Sequence, residues 1–229
     1  MATIEENLAA LKICIERGKP TKDASYPPDM KGQPGSVELT VELIEAGVTP
    51  ESILNEGMVP AMRVVGQRFQ DGEAYVPDML ISAGAMKKAM ALLEDVLKKA
   101  GIEPKGTFIA GTVEGDLHDI GKNLVCMMVE GNGWKIVDLG VDTTAPKFIA
   151  AADEHPDAVV GMSALLTTTM LSMRGICKAL KEKHPDMKTM IGGAPVSKVY
   201  AEEIGATGYG IDPWAANDLL DAWYDAAAK

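Results

Sequence analysis

The sequence predicts an α/β protein in two parts: an N-terminal helical bundle and a C-terminal half built on a five-stranded parallel sheet. Three observations predict it. Apolar residues recur at helical spacing through the first part, as Ile4, Leu8, Leu11 and Ile15 do. From residue 105 short apolar, β-prone runs alternate five times with helical patterns. The segments that follow those runs are polar and rich in glycine, as ligand-binding loops at one sheet edge are. The boundary falls near Gly101, which gives a helical domain over 1–101 and an α/β domain over 102–229.

In the first part, residues 19–35 hold four prolines and read as a loop or linker. Ser36 is the expected N-cap of a helix through Leu39, Leu43 and Ile44, which Gly47 ends. Thr49 is the N-cap of the next, with Pro50 at its first position, and that helix runs through Ile53, Met58, Met62 and Phe69. A long helix follows from about Pro77 to Ala100.

In the second part, strands are expected at Thr107–Thr112, Lys135–Leu139, Ala158–Met162 and Lys188–Ile191, with a weak fifth at Thr207–Tyr209. Helices are expected at about Ile120–Gly131, from Ala145, through Met170, Ile176 and Leu180, at Ser197–Ile204 and from Pro213. Short connections between parallel strands place helices on both faces of the sheet. Five such units suggest a flavodoxin-like, Rossmann-like order 2-1-3-4-5, whose ligand site lies at the carboxyl ends of strands 1 and 3.

Composition narrows the function. The formal charge is −11, the opposite of what phosphate neutralisation needs, so a nucleic-acid partner is not expected. The N-terminus carries acid where a secretory signal carries base, and apolar runs are short, so a cytoplasmic protein without a membrane partner is expected. Cys14, Cys126 and Cys177 form no pair or cluster and read as buried packing residues.

The candidate site residues share one edge. After strand 1 comes Asp116-Leu117-His118-Asp119-Ile120-Gly121, and after strand 3 comes Ser163-Ala164-Leu165-Leu166 followed by Thr167-Thr168-Thr169. After strand 4 comes Gly192-Gly193-Ala194, and around strand 5 Gly208-Tyr209-Gly210. A metal-ligating imidazole needs its second nitrogen held, and Asp116 stands where it can do so. Ser163 is placed to bond that carboxylate in turn. His155 and His184 fall at the opposite edge and read as loop residues. One histidine with no thiolate cluster does not make a zinc site, whereas a metal already held by a macrocycle needs one axial protein ligand. Neither GxGxxG nor GxxxxGK[ST] is present.

The pattern DxHxxG, then SxL after a gap of 41 residues, then GG after a gap of 26, resembles the signature of cobalamin-binding domains. Residues 69–80, with Ser82-Ala83 and 85–90, resemble the helical cap of methionine synthase and of corrinoid methyl carriers. The chain thus resembles the small corrinoid proteins of methanol, methylamine, glycine-betaine and O-demethylase methyltransferase systems. The resemblance implies a corrinoid, cobalamin or a relative, bound base-off with His118 as the lower axial cobalt ligand. Asp116 and Ser163 would form the proton relay behind it. Asp119, Ile120, Gly121, Leu165, Thr167, Gly192, Gly193, Ala194 and Gly208 would line the cofactor or its tail cleft. Tyr75 would shield the methyl group, unless it is a packing aromatic at a helix start. The resemblance further implies a carrier cycling between cob(I)alamin and methyl-cob(III)alamin. Its partners would be a substrate:corrinoid methyltransferase, a second methyltransferase with a tetrahydrofolate or thiol acceptor, and a reductive activase. The B12 subunit of an adenosylcobalamin mutase and a B12-dependent sensor share the signature. The cap-like residues 69–90 argue against the first, and the acidic chain against the DNA-binding second.

Overall fold

A computed structural model describes residues 2–100 and 103–227, which divide into two compact units. One comprises residues 1–103 with 131–133; the other comprises 104–130 and 134–229.

The helical unit contains α1 (Ile4–Glu16), α2 (Ser36–Glu45), α3 (Pro50–Ser52), α4 (Val59–Gln70) and α5 (Val76–Ala100). Leu11, Ile15, Leu43, Ile53, Met58, Met79 and Leu93 are fully buried in it. Two serines tie helices together: Ser36 Oγ donates to the Ala85 carbonyl (2.9 Å) and Ser82 Oγ to the Glu16 carbonyl (3.0 Å). Ser36 is therefore not the cap of α2. Gly35 holds that position, and the Glu38 carboxylate accepts its N–H at 2.8 Å. Between α3 and α4 the helix widens into a π turn over Ile53–Met58, where the Val59 N–H reaches back to Leu54. Pro60 follows at once, and with no N–H to donate it cannot tighten the turn to α geometry.

The proline-rich stretch is a closed loop rather than a linker. Lys19 is fully buried, and its Nζ donates to the carbonyls of Ala24 (2.7 Å) and Lys22 (3.3 Å). The Glu38 carboxylate accepts the Lys22 N–H, and the Ser36 N–H donates to the Lys19 carbonyl, which closes the neck.

The α/β unit runs β1 (Thr107–Thr112), α6 (Ile120–Gly131), β2 (Lys135–Asp138), α7 (Ala145–Glu154), β3 (Val159–Ser163), α8 (Ser172–Lys183), β4 (Thr189–Gly192), α9 (Lys198–Ile204), β5 (Gly208–Gly210) and α10 (Pro213–Ala227). All pairings are parallel, in the order β2-β1-β3-β4-β5 that the sequence predicts. The last three strands sit one residue later than expected, which puts Ser163, Gly192 and Gly210 inside the ladder. Ile109, Val160 and Ile191 face α7, α8 and α9 in a closely packed core with Phe148, Ile176 and Leu180. Phe108, Ala110, Val159 and Met190 face α6 and α10. All three cysteines are buried, and burial pushes the Cys126 thiol up to about 12. No described helix is long and apolar enough to cross a membrane.

Candidate functional site

The loop between β1 and α6 is fixed from both neighbours. The Asp142 carboxylate, in the segment after β2, accepts the Gly115 N–H at 2.7 Å, and the Asp142 N–H donates to the Asp116 carbonyl at 3.0 Å. Thr112 Oγ1 donates to the His118 carbonyl at 3.0 Å. From the other side the β3–α8 segment supplies donors to Asp116, whose carboxylate is fully buried. Its Oδ2 accepts from Thr169 Oγ1 (2.6 Å) and from the Leu165 N–H (2.8 Å). Its Oδ1 accepts the His118 N–H (3.0 Å) and pairs with His118 Nδ1 (2.8 Å).

Burial opposes the charge on Asp116, but these donors outweigh it. Thr169, the Leu165 N–H and both His118 groups hold the carboxyl well below the usual carboxylate range. A carboxylate kept ionised accepts a hydrogen bond from its imidazole partner, so Nδ1 carries the proton and Nε2 keeps its lone pair. The His118 side chain is 52 % exposed, so Nε2 is available to a ligand.

Beside this pair a cleft of about 520 Å³ opens between the sheet and helices α6 and α10. It follows from the strand register. At the carboxyl edge Thr112, Ser163, Gly192 and Gly210 form one row across four strands, and Ala110, Gly161, Met190 and Gly208 form the row below. Residues two apart on a strand share a face, so both rows point toward α6 and α10. Few of these residues have a side chain large enough to fill the layer. Phe108 occupies the space a Cβ on Gly161 would need, and Trp223 that of Gly208. Above them the layer is open. Gly193 has φ +117°, and a Cβ there would meet the Ala164 carbonyl oxygen, so this turn admits only glycine.

Two B12-binding domain models match the chain, over residues 106–216 and 33–94. A corrinoid protein of Desulfitobacterium hafniense is 41 % identical over 75 % of this chain and 82 % of its own length. The chain belongs to the corrinoid-protein family. Its relatives include a monomethylamine corrinoid protein of Methanosarcina acetivorans, 40 % identical over 75 % of this chain and 82 % of that one. One chain of the methanol:cobalamin methyltransferase complex of Methanosarcina barkeri superposes on it with a TM-score of 0.80 at 28 % identity, covering 96 % of this chain and 80 % of that one.

The corrinoid-protein site fits its cofactor on two structural observations. Leu117, Ile120, Leu165 and Leu166 stand exposed around the exposed imidazole, an apolar rim suited to a flat macrocycle. The cleft next to it is lined by five glycines, Gly121, Gly161, Gly192, Gly193 and Gly210, which leaves room for an elongated group. The structure brings most of the sequence-predicted residues to this edge. Gly121, Ser163, Gly192, Gly193 and Ala194 line the cleft. Asp119 accepts from Asn123 in the first turn of α6. Leu165 and Thr167 lie outside the cleft as exposed edge residues. Gly208 is sealed from it by Trp223, and Tyr209, Gly210 and Ile211 line it instead. Tyr75, at the start of α5 in the helical unit, is 68 % exposed, so it is not a packing aromatic.

One contact differs from expectation. Ser163 makes no hydrogen bond to Asp116, because its side chain lies on the cleft face of β3 while the backbone beyond it turns Leu165 and Thr169 toward the carboxylate. Sequence reading missed Thr169, Lys122 and Phe108. The run Thr167-Thr168-Thr169 marks a hydroxyl-rich loop, but nothing in it distinguishes the buried member from the exposed ones. Lys122, almost fully buried, pairs with Asp138 at 2.6 Å.

Proposed function

We propose that this chain is the methyl-carrying corrinoid subunit of a methyltransferase system, with a cobamide bound base-off and His118 Nε2 as the lower axial ligand. The observation that carries this reading is the buried Asp116 carboxylate paired with Nδ1 of an exposed imidazole beside an open cleft. When bound, the corrinoid supplies a cobalt centre able to accept a methyl group as a nucleophile and release it to an acceptor. The protein's own work is binding, orientation and proton placement. Asp116 keeps the Nδ1 proton in place and so leaves the Nε2 lone pair for the metal. Thr169 and the Leu165 N–H keep that carboxylate charged. The hydrogen-bonded chain behind the imidazole therefore runs His118–Asp116–Thr169, with Ser163 at the mouth of the tail cleft. Residues 1–101 act as the cap domain, and exposed Tyr75 shields the methyl group.

Family membership supports the reading of the partners. Several matched relatives are named as monomethylamine or trimethylamine corrinoid proteins, and a matched structure is of a methyltransferase complex. We assign this chain a substrate:corrinoid methyltransferase as donor partner, a second methyltransferase with a folate or thiol acceptor, and a reductive activase, all in the cytoplasm. The test is reconstitution with hydroxocobalamin, followed by gel filtration and an absorption spectrum, for wild type and His118→Ala. Retained corrinoid with a histidine-ligated spectrum that the variant loses is expected. No retained corrinoid, or identical spectra, would overturn the reading.

A further inference from the structure

We infer that the cleft selects the chemical class of the cobamide's lower base, admitting benzimidazole and phenol rings and disfavouring purines. This rests on the reading above, that the cleft receives the tail, and adds which tail it accepts.

The argument is the polarity of the cleft along its depth. Strands β1, β3, β4 and β5 end at its mouth, and α6 and α10 begin there, running back along the sheet. A residue early in a strand, or a turn into either helix, is therefore deep. The mouth holds Ser163, Lys122, Asp212 and the Gly192-Gly193 backbone. The deep end holds Phe108, Ala110, Val125, Met190 and Ala216. These five side chains offer no conventional hydrogen-bond donor or acceptor. Phe108, Ala110 and Met190 stand on strands in parallel register with β3, so their main chain is committed to the ladder. Lys122 cannot serve the floor, since its ammonium already contacts both Asp138 oxygens and Asn123 Oδ1. Asp212 Oδ1 is engaged by the Ala215 N–H.

A cobamide tail is polar at its phosphate and ribose and carries its base at the end. The mouth matches the first part and the floor the second. An adenine there would bury its exocyclic amine and ring nitrogens against hydrocarbon, whereas a methylated phenol buries none and dimethylbenzimidazole one free nitrogen. The selection comes from the floor, so it acts on affinity and does not require turnover.

The test is equilibrium binding to the full-length apo-protein of four probes: phenolyl, dimethylbenzimidazolyl and adeninyl cobamides, and tailless cobinamide. The decisive pair is phenolyl against adeninyl, measured where spectra show both free cobamides base-off, so that detaching the base from cobalt does not set the ranking. Adeninyl cobamide should bind about tenfold more weakly or worse, because a buried polar atom left without a partner costs a factor of that order. Val125→Thr, near-isosteric and on a helix, should narrow the ratio, and so should Met190→Gln if it folds. Equal or tighter adeninyl binding overturns the inference. If cobinamide and all tails bind alike, with histidine ligation intact, the corrinoid reading stands and base selection fails. If no probe binds, both fail.

Discussion

The two faces of the sheet are built differently. Toward α7, α8 and α9 the strands present Ile109, Val160 and Ile191, and the helices answer with Phe148, Ile176 and Leu180, all essentially buried. Toward α6 and α10 the same strands present Ala110, Gly161 and Gly192, with Gly210 of β5 beside them, and the layer holds a cleft of about 520 Å³. One face is filled and the other is left open beside His118. Stability thus rests on the first face and on the lower layer of the second, where Phe108, Val129 and Leu220 are buried, and the layer at the carboxyl edge is left to carry a ligand.

Substitutions separate the two. Leu180→Ala on the filled face should have the largest effect, lowering stability by about 2–5 kcal/mol in urea denaturation, because it leaves a cavity in a packed core. Asp116→Asn comes next, at about 1–3 kcal/mol at neutral pH, since a buried group set among donors gains an N–H where it must accept. The sign with pH is fixed. The folded Asp116 carboxyl titrates lower than in the unfolded chain, so its stabilisation is full above the usual carboxylate range and lost as pH falls below about 4. The gap between wild type and Asp116→Asn should therefore shrink on acidification, and a gap that widens would refute the charged-carboxylate account. Thr169→Val should cost about 1 kcal/mol by the same denaturation measurement, with Thr169→Ser restoring most of it. Ala110→Leu should cost about 1 kcal/mol, because Ala110 is buried where it lines the cleft and the added branch must displace its neighbours, and it should abolish cobamide retention on gel filtration. Ser163→Ala should change stability by less than about 0.5 kcal/mol, which sets it apart from Thr169. If Ser163→Ala matched Thr169→Val, the hydrogen bonding described for Asp116 would be wrong.

The filled face and the strand order were legible in the sequence, because short continuous apolar runs such as Phe108-Ile109-Ala110 and helical repeats such as Ile176–Leu180 are local signals. The Asp116–His118 pair was legible too, since its partners lie two residues apart. What escaped depends on distance along the chain. Thr169 meets Asp116 only after β3 and its turn bring them together. The openness of the cleft depends on Phe108 and Trp223 filling the places of Gly161 and Gly208 but not the row above, a matter of packing that no single segment encodes. The cap at Gly35 and the closed loop around Lys19 depend likewise on Glu38 and on carbonyls that the loop itself presents.

The central claim is that His118, and not the cofactor's own base, ligates cobalt. It is tested most directly by electron paramagnetic resonance of the protein loaded with cobalamin in the cobalt(II) state, grown with ¹⁴N-histidine or ¹⁵N-histidine. Ligation by His118 predicts that the axial nitrogen splitting changes from triplets to doublets on ¹⁵N labelling, and that the labelled splitting is lost in His118→Ala. Triplets unchanged by labelling would mean that the lower ligand comes from the corrinoid itself, and would contradict the account.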